Sequence, residues 1–335
     1  MSDGGLQLYV SGQGNMDLVY ENSLPEVTLG GSGHPTTYST TFEHGIRSAT
    51  VDKALLEVGA RSATMEIPRW KVLFNGVVVT REFKPSICAR MGDGFFCKLV
   101  FDVTPIVNSK RRKDHTVGIE YMGVREFVVD HVGLLLMGSY DTVRSFYHFW
   151  SGAISLKPGD VIELSLPGRL SGMKARIVAY IPHTSASLVV STGEGTSTIS
   201  KSVGTNEFAL DIGDAVQLRL EHKGTGEYYP RELLVSSILV YRIEAPEPRI
   251  EASYSVSADA LKLEVSNAGD DRAENLVVTV FAVGNVVDRA VVGELKPGES
   301  KTLNLRLKPG STNTVRVIWR HRGKLMFRDI RLRPD

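Results

Sequence analysis

The sequence lacks several features that define common functional classes. Only two of its 335 residues are cysteine, too few for a disulfide scaffold or a cysteine-rich zinc site. No run of about 18 apolar residues occurs, so no membrane-spanning helix is predicted. Lys and Arg total 39 against 38 Asp and Glu, which disfavours a nucleic-acid binder relying on bulk positive charge. The opening residues, MSDGGLQLYV, have neither a basic nor an apolar region, so no secretory signal peptide is predicted.

Familiar catalytic motifs are missing as well. The glycine-rich segment Leu29–Pro35 (LGGSGHP) lacks the Gly-Lys-Ser/Thr of a phosphate-binding loop. His34 stands at the last glycine position of the Gly-x-Ser-x-Gly hydrolase turn, so that motif is incomplete. No two of the eight histidines have a metal-ligand spacing, and we predict neither a metal site nor a cofactor. The paired carboxylates of a glycosidase depend on distances in the fold, so sequence alone does not reveal them. The sequence favours a protein that is not an enzyme.

The strongest signal that is present is an alternation of apolar and polar residues. Segments such as Leu6–Val10, Lys174–Tyr180 and Leu261–Val265 have a period of two. Gly, Asn, Asp and Pro separate these segments at intervals of about 8–12 residues, as is typical of antiparallel strands joined by turns. No long segment has a helical stripe, apart from an ambiguous stretch at Val51–Val58. The sequence predicts an all-β chain of three consecutive β-sandwiches, two jelly-roll-like and one Ig-like.

Two composition changes mark the predicted domain boundaries. Glu244–Arg249 (EAPEPR) combines two prolines with charges and is typical of a short, semi-rigid linker. A second boundary is predicted near residues 141–151, between two strand-like segments. The predicted domains are residues 1–144, 145–246 and 247–335.

The first two predicted domains look like loose copies of each other. Lys53–Ala60 corresponds to Lys174–Pro182, and two later pairs of segments follow in the same order (HTVGIEY with VQLRLEH, and VGLLLMGSY with SSILVYRIE). Duplication of one β-sandwich explains this order. The general similarity of all-β sequences to one another is the alternative.

The two cysteines, Cys88 and Cys97, flank a predicted hairpin. If Gly92-Asp93 is a two-residue loop, Met91 faces Gly94 and the cysteines fall directly opposite each other. Counting outward from the loop makes them a non-hydrogen-bonded pair, in which side chains approach most closely. A cross-strand disulfide is therefore geometrically allowed. Two buried free thiols are the alternative, and a turn on Asp93-Gly94 would shift the register and remove the pairing.

Residues 35–140 contain several short motifs in a recurring order. Asn75-Gly76 is a hairpin signal, Asp102-Val103-Thr104 is a turn that side-chain hydrogen bonds can cap, and His115–Tyr121 reads as the next strand. In this order the segment resembles galactose-binding-like jelly-roll domains, especially the repeat of large archaeal surface proteins. The resemblance implies a non-catalytic β-sandwich and supplies no active site. It departs from that family at Lys110–Asp114 (KRRKD), where a glycine-rich turn is usual.

Three segments near the C-terminus share a pattern of strands and turns: Leu263–Gly269 (LEVSNAG), Asn275–Phe281 (NLVVTVF) and Glu294–Leu307 (ELKPGESKTLNLRL). With them, residues 249–333 resemble the CARDB type of Ig-like adhesion module. Asn267 with Gly269, and Pro297 with Gly298, would build its turns. The resemblance implies a spacer or adhesive unit rather than a catalytic domain.

Exposed aromatic side chains are the usual means by which a β-sandwich holds a sugar. The candidates in this chain are Trp70, Trp150, Tyr228 and Tyr229. The alternative for each is that it packs in a core or at a domain junction, where aromatic side chains bury much apolar area. The sequence alone does not decide between these two roles.

The first residues of the chain are a candidate for strand donation. Leu6, Leu8 and Val10 form one apolar face, and Ser11–Gly14 reads as a flexible hinge, so the segment could pair with an open sheet edge of its own chain or of a neighbour. Residues 1–46 contain five acids and no Lys or Arg, whereas residues 316–335 contain seven bases. These ends favour a head-to-tail oligomer, and a contact of that kind that does not close builds a filament. The alternatives are an ordinary first strand and two solvated surfaces.

We therefore expect a non-enzymatic structural or adhesive surface protein that associates with itself or binds a glycan or another protein. A carbohydrate-binding module with a defined sugar site is the alternative function. No nucleic-acid partner and no membrane span are expected. The domain types favour a cell-surface or extracellular location, while the missing signal peptide leaves an intracellular or viral particle open.

Overall fold

Alternating residues form strands through most of the chain, because a period of two places the apolar side chains on one face of a sheet. The computed structural model describes residues 4–332 apart from 47, 49, 68, 111, 167–170, 193–194, 200–202, 225–231 and 322–323. The described elements are β-strands and one short helix, α1 (Thr104–Lys110), which confirms the all-β prediction. The chain divides into two compact units, Met1–Glu244 and Ala245–Asp335.

The strands described in the first unit follow in chain order. They are β1 (Gly4–Gly14), β2 (Met16–Ser23), β3 (Val27–Leu29), β4 (Thr37–Glu43), β5 (Lys53–Ser62), β6 (Trp70–Phe74), β7 (Val77–Thr80), β8 (Ile87–Met91), β9 (Gly94–Asp102), β10 (Asp114–Tyr121), β11 (Phe127–Ser139), β12 (Arg144–Leu156), β13 (Val161–Ser165), β14 (Met173–Ile181), β15 (Ala186–Thr192), β16 (Gly195–Ile199), β17 (Gly204–Gly213), β18 (Gln217–Gly224) and β19 (Leu233–Glu244).

Eight strands of the first sandwich form two antiparallel sheets in a jelly-roll order. The outer sheet has the order β4-β10-β6-β7, and the inner sheet has the order β2-β11-β5-β9, with β8 added beside β9 and β3 beside β11. If these eight strands are numbered 1 to 8 along the chain, the inner sheet has the order 1-8-3-6 and the outer sheet the order 2-7-4-5. Two Greek keys produce this order. The core between the sheets includes Leu56, Trp70 and Phe74.

The second sandwich repeats this order strand for strand. Its inner sheet has the order β12-β19-β14-β17 and its outer sheet β13-β18-β15-β16. The segments matched in the sequence lie on corresponding strands, since Lys53–Ala60 falls in β5 and Lys174–Pro182 largely in β14. Strand β1 has no counterpart in the first sandwich and is a ninth strand, added beside β12.

The two inner sheets pack face to face, so the first unit is a stack of four sheets. Leu55, Leu135 and Met137 of the first sandwich contact Phe149 and Leu239 of the second. Both faces of the inner sheets are therefore covered, which explains why β11 and β19 read as nearly continuous apolar runs rather than alternating ones.

The predicted division into three domains stays a prediction. The predicted linker at Glu244–Arg249 coincides with the junction between the two compact units. Residues 1–144 and 145–246 lie together in the first unit, and β1, which we assigned to the first domain, pairs with β12 of the second sandwich.

The second unit is a smaller sandwich of two sheets. Its strands are β20 (Ile250–Ser257), β21 (Ala260–Asn267), β22 (Ala273–Ala282), β23 (Asn285–Leu295), β24 (Ser300–Arg306), β25 (Asn313–His321) and β26 (Lys324–Leu332). The sheet orders are β20-β21-β24 and β23-β22-β25-β26. Leu263, Val280, Val317 and Trp319 are buried between the sheets.

Candidate functional site

The richest group of ionisable side chains lies between the two inner sheets of the first unit. Glu57 of β5, Lys98 of β9 and His131 of β11 point toward the second sandwich, and none of the three is exposed to solvent. Ser151 of β12 and Ser237 of β19 meet them from the other side. We call these five side chains the buried polar cluster. In the described part of the chain, this cluster included, no three His, Cys, Asp or Glu side chains are arranged to hold a metal ion.

Lys98 uses all three of its N–H donors within the cluster. Its Nζ lies 3.1 Å from Glu57 Oε1, 2.8 Å from Ser237 Oγ and 2.7 Å from His131 Nδ1. Because an ammonium group only donates, His131 Nδ1 accepts, and the proton of the neutral ring lies on Nε2, which donates to Asn22 Oδ1 at 2.8 Å. Burial lowers the pKa of His131 well below its usual value, and the charge of Lys98 adds to this effect.

Glu57 accepts hydrogen bonds on both carboxylate oxygens. Ser237 donates to Oε1 at 3.0 Å, Ser151 donates to the same atom, and the Tyr20 hydroxyl donates to Oε2 at 2.7 Å. Burial and the charge of Glu57 raise the pKa of Tyr20 well above its usual value, so its hydroxyl stays protonated. Burial lowers the pKa of Lys98, and the carboxylate beside it acts in the opposite direction. The cluster is sealed and satisfied, so it joins the two sheets and offers a substrate no accessible atom.

Neither Glu57 nor Lys98 is among the candidate residues that the sequence supplied. Each stands alone among apolar residues, in KALLEVGA and FFCKLVF, and a single charge inside a buried strand is the signal that could have identified both.

A second ion pair lies at the edge of the same interface. Arg61 Nε and Nη2 donate to Asp130 Oδ2 and Oδ1 at 2.7 and 2.8 Å, and Nη1 donates to the Tyr180 hydroxyl of the second sandwich at 3.2 Å. The guanidinium also lies over the Tyr180 ring, 4.4 Å from its centre. Burial raises the pKa of Asp130 to about 6, although Arg61 acts to lower it. Arg61 is thus held in one orientation while its side chain remains 25% exposed.

Arg61 reaches an open cleft of about 420 Å³ on the first sandwich. Apolar and charged side chains share its lining, which includes Arg61, Met91, Asp93, Phe95, Glu126 and Phe127. An aromatic surface beside a few convergent polar groups is the usual composition of a small-molecule site. We call this feature the Arg61 cleft.

The hairpin of β8 and β9 borders the Arg61 cleft and contains both cysteines. Met91 faces Gly94 and Cys88 faces Cys97, in the register that a Gly92-Asp93 loop predicts. Gly92 has a φ of 57°, as the first loop position of a type II′ turn requires. The two cysteine Cα atoms are 4.1 Å apart and the sulfur atoms are bonded, which ties the edge strand β8 to the inner sheet.

Leu6, Leu8 and Val10 lie in β1, which pairs with β12 of the same chain. Leu6 packs against the core of the second sandwich, and Val10 packs against the interface of the inner sheets. A bulge between Leu8 and Val10 accounts for this change of face, and Leu8 remains 45% exposed. In the structure the segment is therefore an edge strand of its own chain.

The predicted hinge at Ser11–Gly14 was wrong. These residues continue β1 in register with His148–Ser145, because β12 offers a partner to each of them. Only Asn15 separates β1 in one inner sheet from β2 in the other.

The structure buries two of the four aromatic residues proposed for sugar binding. Trp70 is 1% exposed and packs edge-on against Phe83 and Phe127, and Trp150 is 8% exposed. Neither ring offers a free face for stacking, which corrects the expectation that they are surface platforms. Tyr228 and Tyr229 lie outside the described residues.

Comparison with known proteins bears mainly on the C-terminal unit. Residues 246–322 match the family model named CARDB, which confirms that part of the sequence resemblance. No curated protein matches the sequence. The galactose-binding-like resemblance of residues 35–140 is not confirmed and stays a prediction.

Among solved structures, the apo β-glucuronidase of Ruminococcus gnavus matches 56% of this chain and 36% of its own, with 10% identity and a TM-score of 0.22. The same enzyme in complex with uronic isofagomine matches 56% of this chain and 35% of its own, at the same identity and TM-score. The chain thus spans about a third of the length of these structures. A similarity this low carries no argument about activity. No helix in the described part of the chain is long and apolar enough to cross a membrane.

Proposed function

We propose that this chain is a non-enzymatic structural or adhesive protein that assembles with further copies of itself. The observation that carries the proposal is the position of β1. Even without β1, the second sandwich has all eight strands of the jelly-roll order that the first sandwich has. Strand β1 is therefore an addition to a complete jelly roll. Such a terminal strand can be supplied by another copy at little cost in intramolecular structure.

Exchange of β1 between chains would be head-to-tail. The strand of one copy would lie beside β12 of the next copy, and this contact does not close on itself unless the chains form a ring. The connection between β1 and β2 is a single residue, Asn15, and a hinge this short favours exchange of a strand between chains. An open series of such exchanges builds a filament.

The experiment compares the full chain with a chain lacking residues 1–12. The truncated protein should remain folded by circular dichroism and should not polymerise in electron micrographs or sedimentation. A synthetic peptide of residues 1–14 should bind it, while the same peptide carrying Leu6→Asp should not, because Leu6 packs into the second sandwich. A truncated chain that unfolds as a monomer would show that β1 is an ordinary intramolecular strand.

A surface or extracellular location is part of the proposal. The bond between Cys88 and Cys97 supports an oxidising compartment, since disulfides persist mainly outside the reducing cytosol, hyperthermophiles excepted. The CARDB match supports the same location, because CARDB-type domains are Ig-like adhesion modules and such modules act at surfaces.

Glycan binding is a second candidate function, favoured by the Arg61 cleft. A sugar presents hydroxyl groups, which both donate and accept, and a C–H face that stacks on aromatic rings. Asp93 and Glu126 could accept from hydroxyls, and Phe95 supplies a ring in the same cleft. A glycan array with the full chain and with Phe95→Ala tests this candidate, with Phe281→Ala in the other unit as the control, since both rings are half-buried. Binding that Phe95→Ala leaves unchanged would exclude the cleft.

A further inference from the structure

The four-stranded sheet of the C-terminal unit has an apolar row across its outer face. Strand pairing places Val291 beside Val277, Val277 beside Ile318, and Ile318 beside Phe327. Directly paired residues project from the same face of a sheet, so the four side chains form one continuous row from β23 to β26. Val278 and Val317, which neighbour this row in sequence, are buried in the core and identify the opposite face as the inner one.

This row is open to solvent in the chain. Val291 at one end is 73% exposed and Phe327 at the other end is 60% exposed. Single exposed apolar residues are common, but a contiguous row that crosses a whole sheet indicates an interaction surface.

Charged residues lie on both sides of the row. On one side, beyond a bulge between Glu274 and Val277, Glu274 of β22 lies opposite Arg320 of β25 in the strand register, and its carboxylate also forms an ion pair of 3.0 Å with Arg272. On the other side Arg289 of β23, Thr279 of β22, Arg316 of β25 and Asp329 of β26 follow in strand order. Arg316 holds Asp329 through two hydrogen bonds of 2.7 and 2.8 Å.

We propose that this face binds the same face of a second copy of the chain. A two-fold axis parallel to the strands and midway between β22 and β25 would stack the two faces with the strand order of one copy reversed over that of the other. Each row would then lie on the same row of the other copy, running in the opposite direction across the sheet. Val291 would then meet Phe327 of the other copy, and Val277 would meet Ile318. The axis also sets Glu274 against Arg320 and Arg289 against Asp329, so opposite charges meet in both flanking rows. A face that is complementary to itself in both shape and charge defines an isologous dimer.

The charge pattern also selects this axis over the other one possible for two stacked faces. A two-fold along the apolar row would set Arg320 of one copy against Arg316 of the other. Like charges in contact are unfavourable, and this arrangement has no opposite charges to offset them. A dimer with parallel strands is also consistent with aligned packing of two sheets.

The proposed dimer is small. A sheet of four strands spans about 14 Å between its outer strands, at about 4.8 Å for each step. Its buried area therefore falls at the low end for specific complexes, and the dimer should form and dissociate with concentration.

This inference deepens the proposed self-association and names a second surface for it, independent of β1. The test therefore uses the full chain and the chain lacking residues 1–12 in parallel, because strand exchange is impossible in the latter. A reversible dimer of the truncated chain supports the outer-face contact, whether the full chain forms dimers or polymers. Monomers in the truncated chain at all accessible concentrations would overturn it, while polymers of the full chain would still support strand exchange.

Charge reversal in the truncated background gives the sharpest test. Glu274→Arg and Arg320→Glu should each weaken the dimer at least about tenfold in sedimentation equilibrium, because each variant sets two like charges together at two places. Mixing the two variants should restore a dimer of near-original affinity, since the mixed pair sets Arg against Glu at both places. Repulsion within one chain predicts no such restoration. A mixture no tighter than either variant alone would overturn the proposal.

A change in the apolar row provides an independent measurement. Val291→Glu should also weaken the dimer at least about tenfold without loss of folding, because Val291 is 73% exposed. Val124→Glu is the control, with the same change at a residue that is 91% exposed in the first unit. Equal effects of the two variants would show that the row has no specific role.

Discussion

Lys98 Nζ lies 3.1 Å from Glu57 Oε1 at the centre of the interface between the two sandwiches, and neither side chain has any exposure to solvent. A buried ion pair of this kind adds little net stability, because the cost of removing both charges from water offsets their attraction. Removing one partner is far more costly, because the other charge stays buried without compensation. We therefore expect the pair to favour one arrangement of the two sheets over others.

Replacing Lys98 alone should destabilise the first unit severely. Lys98→Met leaves Glu57 buried without its cation, and we expect a loss of about 3–5 kcal/mol in the free energy of unfolding. The double variant Glu57→Gln/Lys98→Met should lose clearly less, because the neutral amide oxygen can still accept from the two serines while its NH2 group donates to the Tyr20 hydroxyl oxygen. Urea denaturation of the three proteins measures both values. A double variant as unstable as Lys98→Met would contradict the role given to the charge.

Gly133 of β11 makes room for the same cluster. A Cβ atom there would lie 2.8 Å from Asn22 Oδ1 and 2.9 Å from both Glu57 Oε2 and His131 Nε2. Gly133→Ala should therefore cost about 1–3 kcal/mol of stability, as overpacking usually does. Gly118→Ala in β10 is the matched control, since its Cβ would meet only Leu73 at 3.6 Å and 3.7 Å. Equal thermal denaturation midpoints for the two variants would argue against a close-packed cluster.

Several features of the fold follow from local sequence patterns. The segments matched between the first two sandwiches fall on corresponding strands, because strand length and turn position are set by neighbouring residues. The Gly92-Asp93 loop likewise determines the register of Cys88 and Cys97. These are features that a short window of sequence contains.

Other features depend on which sheet faces which, and a period of two does not contain that information. An alternating strand has two faces, and the sequence does not show that the second face of an inner sheet is also covered. For this reason the sequence leaves Trp70 and Trp150 as candidates for a surface role and does not bring Glu57 and Lys98 together. The pairing of β1 with β12 was missed for the same reason, since the two strands lie about 140 residues apart.

His115 should make the stability of the first unit depend on pH. Burial lowers its pKa to about 4, and the positive charges of His44 and Arg112 add to the effect. The unfolded chain takes up this proton near the usual pKa of about 6.5, whereas the folded chain takes it up only near 4. The contribution of His115 to the free energy of unfolding is therefore fully present above about pH 6.5 and is lost as the pH falls toward 4.

Denaturation midpoints at about pH 7.5 and pH 4.5 measure this loss. His115→Asn should reduce the difference between the two midpoints, because asparagine does not titrate. The lowered pKa values of His131 and His44 act in the same direction and the raised pKa of Asp130 acts in the opposite one, so a dependence of a different size should remain. A dependence of unchanged size in His115→Asn would contradict the assignment.

The bond between Cys88 and Cys97 is open to direct chemical measurement. Thiol labelling of the denatured chain should find no free cysteine without reductant and both cysteines after reduction. The bond joins two residues with a sequence separation of 9. By the entropy of closing a loop of this length, its loss should reduce the free energy of unfolding by about 2–3 kcal/mol. The double variant Cys88→Ser/Cys97→Ser, which cannot form the disulfide, is the control. Two reactive thiols in the unreduced protein would show that the hairpin is not crosslinked.

Truncation at the predicted boundaries decides how many domains fold by themselves. Residues 245–335 have a separate core and should unfold cooperatively as an isolated fragment. Residues 1–144 should not, because removing the second sandwich exposes Leu55, Leu135 and Met137 together with Lys98 and Glu57. We expect this fragment to aggregate or to bind a hydrophobic dye, while residues 1–244 stay soluble. If residues 1–144 were instead monomeric and unfolded in a single sharp transition, the three predicted domains would be independent, and the polar interface between the sandwiches would be a docking contact rather than part of one core.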